Sequence, residues 1–207
     1  MKLRGLYAIT PDCADSALLI AKAAQALAGG ICTMQYRNKL AGRKQSLHEA
    51  TALATLCRQR GVPFIVNDDV RLALDAGADG VHLGRDDGNP AAARAALRGK
   101  LLGVSCYDSL AAARAAVAAG ADYIAFGSVF PSATKPSAVR APLALFGEAR
   151  ALGVPLVAIG GITLENAPLL LRAGADSLAV ISDLFDAPDV AERARSYGKL
   201  WPHEITQ

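Results

Sequence analysis

Short apolar runs alternate with longer Ala- and Leu-rich segments along the chain. The runs are LYAIT (6–10), ICTMQYR (31–37), PFIVN (63–67), GVHLG (80–84), LLGVS (101–105), YIAFG (123–127), PLVAIG (155–160) and SLAVIS (177–182). Each reads as a strand that is apolar on both faces, which marks a parallel sheet covered by helices. Between them, segments such as DSALLIAKAAQALA, LHEATALATLCRQR, SLAAARAAVAAG and LENAPLLLRAG carry a helical period, with turn or capping residues at several starts and glycine at several ends. The pattern predicts an α/β fold in which strand and helix alternate throughout. A doubly wound open sheet is the rival architecture. Eight strand-helix units without a second domain favour closure into a (β/α)8 TIM barrel, one domain over residues 1–207 with the last few residues as a C-terminal tail.

A weak repeat supports this. Gly-Ala-Asp recurs in GADGVHLG (77–84), GADYIAFG (120–127) and GADSLAVI (174–181), each time at the end of a helix and the start of a strand. Glycine closes the helix and aspartate turns the chain, so these aspartates are expected at the bottom of the barrel, away from the functional face. The loops must be mostly brief, since 207 residues fall short of the ~250 typical of the fold.

Composition changes the picture mainly by exclusion. With 52% hydrophobic residues and 22 Lys+Arg against 19 Asp+Glu, the chain reads as a soluble protein with a large core. Its basic residues are scattered and only 5% of residues are aromatic, which argues against a nucleic-acid surface. Cys13, Cys32, Cys57 and Cys106 form no C-x-x-C pair, as expected of reduced thiols rather than a disulfide framework or zinc site. No leader pattern opens the chain and no apolar run nears the ~20 residues of a membrane span, so a cytoplasmic protein without a membrane partner is expected. The sequence does not indicate an oligomeric state.

In a barrel, the carboxyl ends of the strands converge on one mouth. Strand two ends in QYRNK, where Gln35, Arg37 and Lys39 share one face and Tyr36 and Asn38 the other. Strand three ends in Asn67, Asp68 and Asp69, and the loop after strand four carries Arg85, Asp86 and Asp87. Strand five ends at Ser105, and strand six runs into SVFPSATKP (128–136). Asp68 and Asp87, on neighbouring loops, suit Mg2+, which binds through one or two carboxylates plus phosphate oxygens and water. Asp69 is expected to cap a helix. Arg37, Lys39 and Lys135 suit a polyphosphate. After strands seven and eight, AIGGIT and AVIS offer a second anion site, with Gly161, Ile181 and Ser182 as contacts. His48, His82 and His203 form no triad or zinc set, and His82 reads as a satisfied core residue.

Taken in order, LYAIT, QYRNK, VNDD, GVHLGRDD, GVSCY, GADYIAFG through SVFPSATKP, VAIGGIT and GADSLAVIS resemble the thiamine-phosphate synthase family over roughly residues 5–185. The resemblance implies an enzyme that joins 4-amino-5-hydroxymethyl-2-methylpyrimidine diphosphate to 4-methyl-5-(2-hydroxyethyl)thiazole phosphate, with Mg2+ as cofactor and a dissociative substitution. It implies that Gln35, Arg37, Lys39, Asn67, Ser105 and Lys135 meet the pyrimidine diphosphate, and that Arg37, Ser105 and Lys135 act in catalysis. Asp68 and Asp87 would hold the metal. Ser132, Thr134, Gly161, Ile181 and Ser182 would receive the thiazole phosphate. Ser132, Asn38 and Arg85 stand where the family commonly has threonine, an acidic residue and glutamine. A thiazole tautomerase sharing the barrel and phosphate site, and a non-enzymatic phosphate-sensing protein, are the competing functions. The retention of Gln35, Arg37, Lys39, Asp68 and Asp87 speaks against the tautomerase.

Overall fold

The structure, a computed structural model, describes residues 3–131 and 139–201. Eight parallel strands pair in sequence order: β1 (Gly5–Ile9), β2 (Thr33–Tyr36), β3 (Phe64–Asn67), β4 (Gly80–Leu83), β5 (Leu101–Tyr107), β6 (Tyr123–Phe126), β7 (Leu156–Ile159) and β8 (Ser177–Val180). Pairing of β8 back onto β1, with Tyr7 opposite Ala179, closes the barrel. The expected fold class is therefore observed, and among the described residues no sheet edge is left open. Strand five alone overruns its predicted end, continuing past Ser105 to Tyr107 through an irregularity in its pairing with β6.

Outside the sheet lie α1 (Ser16–Ala28), α2 (Arg43–Arg60), α3 (Val70–Asp75), α4 (Pro90–Leu97), α5 (Leu110–Ala118), α6 (Ala144–Ala149), α7 (Ala167–Ala173), α8 (Ser182–Phe185) and α9 (Val190–Gly198). Short polar residues start several of them. Asp15 accepts from Ala17 N and Leu18 N, Ser109 from Ala112 N, and Asp69 from Leu72 N, the capping role expected of Asp69. No helix of the described residues is long and apolar enough to cross a membrane.

The apolar residues divide between two layers. The larger lies between strands and helices, where Phe126 meets Phe146 of α6 edge-on at 5.5 Å. Burying a side chain such as Phe146 is worth roughly 1.5–3 kcal/mol. The smaller layer fills the barrel interior with Leu3, Tyr7, Ile9, Tyr123, Ala125, Val157 and Ala179. Tyr7, Ile9, Ala125, Val157 and Ala179 of this layer reach the cavity at the C-terminal end of the strands, where polar groups join them.

The Gly-Ala-Asp repeat has a more definite role than a turn. Asp79, Asp122 and Asp176 accept from Phe64 N, Leu102 N and Leu156 N at 2.8, 2.7 and 2.9 Å. Each thus ties the start of its own strand to the start of the preceding one. The backbone N–H of each aspartate returns a bond to the same residue's carbonyl. The register of three strand pairs is fixed in this way at the end opposite the site.

Strand β2 is held from outside by one buried carboxylate. Glu49 of α2 accepts from Tyr36 Oη at 2.7 Å, Asn38 Nδ2 at 3.0 Å, Ser16 Oγ at 2.6 Å and Gln45 Nε2 at 2.8 Å. Burial pushes the Glu49 carboxyl up, but these four donors outweigh it and hold the group below the usual range. With Tyr36 and Asn38 fixed outward, Gln35, Arg37 and Lys39 must face inward, as the alternation predicts. Glu49→Ala is expected to destabilise the protein by about 2–4 kcal/mol in chemical denaturation, because the buried Tyr36 hydroxyl and three half-buried donors lose their acceptor together. A loss below about 0.5 kcal/mol would show that the clamp does not hold β2.

Candidate active site

At the carboxyl ends of the strands opens a cavity of about 650 Å3. Gln35, Arg37, Lys39, Asn67, Asp68, Asp87, Ser105, Gly161, Ile181 and Ser182 all line it, so ten of the residues expected at the site come together there. Ser132, Thr134 and Lys135 lie outside the described residues.

The cationic side is built by β2 and the loop after β1. Arg37 Nη1 lies 3.0 Å from Asp12 Oδ1, and the same oxygen accepts from Lys39 N at 2.6 Å. Burial pushes the Asp12 carboxyl up, and the Lys39 N–H and the Arg37 charge bring it below its usual range. Asp12 therefore orients Arg37 and fixes the turn that carries Lys39. Sequence reasoning missed it, because a lone Asp after a strand looks like turn punctuation.

The anionic side is a pair of carboxylates. Asp68 follows β3 with a left-handed backbone, φ 66°, and Asp87 is anchored by accepting from Gly84 N at 2.8 Å. Burial, a hydrogen bond with Asp87 and that residue's charge together raise Asp68 to about 6, against the pull of Lys39 and Arg37. Two acids in contact share a proton or need a cation. Among the described residues no cluster of three or more His, Cys, Asp or Glu could hold a metal ion. A metal with an all-protein cage thus has no support here, whereas one that takes two carboxylates and completes its shell with substrate oxygens and water fits the donor set.

In a carbon-detected NMR titration of the metal-free protein, Asp68 is expected to titrate near pH 6. Its midpoint should move down in Asp87→Asn, since a like charge is removed. An unmoved midpoint would mean that the two carboxyls do not interact.

Across the cavity, the chain after β6 runs against the chain after β7. Val129 N donates to Ile159 O and Phe130 N to Gly160 O, both at 3.0 Å. Gly160 and Gly161 have φ of 101° and 62°, and a Cβ on Gly161 would overlap the Pro131 carbonyl. Only glycine allows this approach. Asn166 Nδ2 holds the Gly161 carbonyl at 2.9 Å, leaving the loop closed down beside Ile181 and Ser182.

Arg85 and Tyr107 complete the mouth. The Arg85 guanidinium sits 4.6 Å from the Tyr107 ring centroid, and Tyr107 Oη accepts from Arg85 N at 3.1 Å. His82 is buried, as expected, but it also lines the cavity, with Nε2 2.8 Å from Ser105 Oγ and Nδ1 3.2 Å from Tyr123 Oη. Burial lowers it to about 4 against a weaker upward pull from Asp87, so its ring is neutral near pH 7. Tyr7 and Tyr123, read as apolar strand residues, also place their hydroxyls inside the barrel. Their signal was available in the inward parity of Tyr7 with Ile9.

Residues 6–184 match the model of a family described as thiamine monophosphate synthase. The chain is 59% identical to a thiamine-phosphate synthase of Azoarcus sp. (strain BH72) over 202 residues, 97% of this chain and 98% of that one. It is 57% identical to the thiamine-phosphate synthase of Aromatoleum aromaticum, with 97% of each chain covered. Among solved structures it is similar to thiamine phosphate pyrophosphorylase from Pyrococcus furiosus, with a TM-score of 0.85, 35% identity and 96% of both chains covered.

Proposed function

We infer from these matches that the chain, which belongs to the thiamine monophosphate synthase family, is a thiamine-phosphate synthase, a transferase. It joins 4-amino-5-hydroxymethyl-2-methylpyrimidine diphosphate to 4-methyl-5-(2-hydroxyethyl)thiazole phosphate, giving thiamine phosphate and diphosphate. The observation that carries this reading for the present site is the shared cavity, with cations and paired carboxylates on one side and the Gly160–Gly161 loop beside Ser182 on the other. That arrangement suits two anionic substrates brought to one point.

In this reading Gln35, Asn67 and Ser105 receive the pyrimidine, and Arg37 and Lys39 its diphosphate. Asp68 and Asp87 hold Mg2+. The bound ion would neutralise charge on the diphosphate oxygens. Gly161, Ile181 and Ser182 take the thiazole phosphate, joined by Ser132 and Thr134. Arg37 and Lys135 face the growing negative charge as the carbon–oxygen bond breaks with its electron pair going to diphosphate. The thiazole nitrogen then donates its lone pair to the exocyclic carbon, closing the carbon–nitrogen bond. Such chemistry relies on positioning and charge neutralisation, which fits a cavity whose one histidine is neutral. Residues 1–207 form one domain in this account. Unpaired cysteines and phosphorylated small-molecule substrates suit the cytoplasm.

The test is incubation of the chain with both substrates and Mg2+. Thiamine phosphate and diphosphate should form in equal amounts. Isomerisation of a thiazole phosphate without any condensation would instead favour the tautomerase.

A further inference from the structure

A chain of hydrogen bonds crosses the floor of the cavity from Ser105 to Asn67. Beyond the two His82 contacts given above, Tyr123 Oη lies 2.8 Å from Tyr7 Oη, Tyr7 Oη 2.7 Å from Gln35 Oε1, and Gln35 Nε2 2.6 Å from Asn67 Oδ1. The six residues come from six consecutive strands, β1 to β6. The two ends, Ser105 and Asn67, line the cavity.

Counting protons sets the direction of every bond. Gln35 Oε1 only accepts, so the single Tyr7 proton goes to it. The bond between the tyrosines then takes its proton from Tyr123. Having spent that proton, Tyr123 can only accept from His82, which must carry its proton on Nδ1. Nε2 of the neutral ring is then bare, and Ser105 must donate to it. Ser105 therefore faces the cavity as an acceptor. At the other end Asn67 Oδ1 is occupied by Gln35, which leaves its amide N–H groups as the donors for a ligand.

The backbone is shaped to keep this chain intact. Gly103 pairs with His82 on one side and Tyr123 on the other. A Cβ there would overlap the Tyr123 ring and come within 2.6 Å of His82 Nδ1. The His82 and Tyr123 rings stack with centroids 5.6 Å apart over this gap.

We propose that His82, Tyr123 and Tyr7 are positioning residues that set the hydrogen-bond polarity of Ser105, so that the site selects an amino-substituted pyrimidine over its oxo counterpart. An exocyclic amine presents donors and needs an acceptor, whereas an oxo group placed against the Ser105 lone pair is repelled. The proposal rests on the reading that this cavity takes the pyrimidine diphosphate.

The test combines a tautomer with a binding ratio. Nitrogen-15 NMR of the wild-type chain, whose three histidines keep the spectrum assignable, should show His82 protonated at Nδ1 and bare at Nε2. In Tyr7→Phe, Tyr123 loses its acceptor and turns its proton to His82 Nδ1. The His82 proton is then expected at Nε2, although the lost hydroxyl does not touch the imidazole. Titration with the 4-amino pyrimidine diphosphate and its 4-oxo analogue, without the thiazole partner, should show discrimination falling roughly 10- to 100-fold in that variant. A wild-type ring protonated at Nε2 overturns the proposal whether or not the variant folds. So does a Tyr7→Phe variant with the tautomer unchanged, or one that weakens both ligands equally, as lost packing alone would do. Failure of the wild type to form thiamine phosphate would instead strike the functional reading, and the tautomer result stands apart from it.

Discussion

Asp68→Asn is expected to lower turnover on the order of 10²-fold or more at limiting Mg2+ while raising the melting temperature of the metal-free protein. The two effects have one cause. Asp68 is half-buried beside Asp87, and its folded-state pKa of about 6 lies above the ordinary value. A group whose pKa is raised by folding binds more protons in the native state, so its contribution to stability falls as pH rises from about 4 through about 6. At neutral pH the ionised pair is therefore a strain on the metal-free fold that asparagine relieves. The same change removes a hard anionic ligand and so raises the Mg2+ needed for activity. Asp87→Asn should act alike on turnover, with its anchor kept because the amide oxygen can still accept from Gly84 N. The check is steady-state kinetics across Mg2+ concentrations together with thermal melts in chelator at pH 7. Full activity at limiting Mg2+ in both variants would remove the metal assignment.

The second large effect is expected at Gly161. With φ at 62°, alanine there is strained, and its Cβ would overlap the Pro131 carbonyl. Gly161→Ala must push apart the loops after β6 and β7. Affinity for the thiazole phosphate should fall about 10- to 100-fold and that for the pyrimidine diphosphate far less, because its contacts stand on β2 to β5 and their loops, with Lys135 alone contributed from beyond β6. The barrel should persist, since the strain falls on loops above the sheet. Titration with each substrate alone separates the two effects, and equal weakening of both would show that the two sides of the cavity are not independent.

Local rules carried most of the fold. Each strand is a short apolar run bounded by turn residues, so all eight could be located without knowing their neighbours, and capping by Asp69 followed from its place before a helix. The inward facing of Gln35, Arg37 and Lys39 followed from alternation alone. What escaped depends on closure. Asp12 meets Arg37, and Glu49 meets Tyr36, only because β1, β2 and α2 are packed side by side. The contact between Asp68 and Asp87 needs the pairing of β3 with β4. The Tyr7–Tyr123 bond spans the interior between strands far apart in sequence. The overrun of β5 was hidden because Tyr107 takes a positive φ of 56°, which no local pattern foretells for a tyrosine.

The central claim is that one cavity holds two anions at separable places, the diphosphate beside the Asp68–Asp87 pair and the thiazole phosphate beside Gly161 and Ser182. Its most direct test is a crossed calorimetric titration, with each substrate binding singly in Mg2+ to the wild type, Asp87→Asn and Gly161→Ala. The account predicts that Asp87→Asn weakens only the pyrimidine diphosphate and Gly161→Ala chiefly the thiazole phosphate. Loss of the same ligand in both variants, or no loss in either, would contradict it.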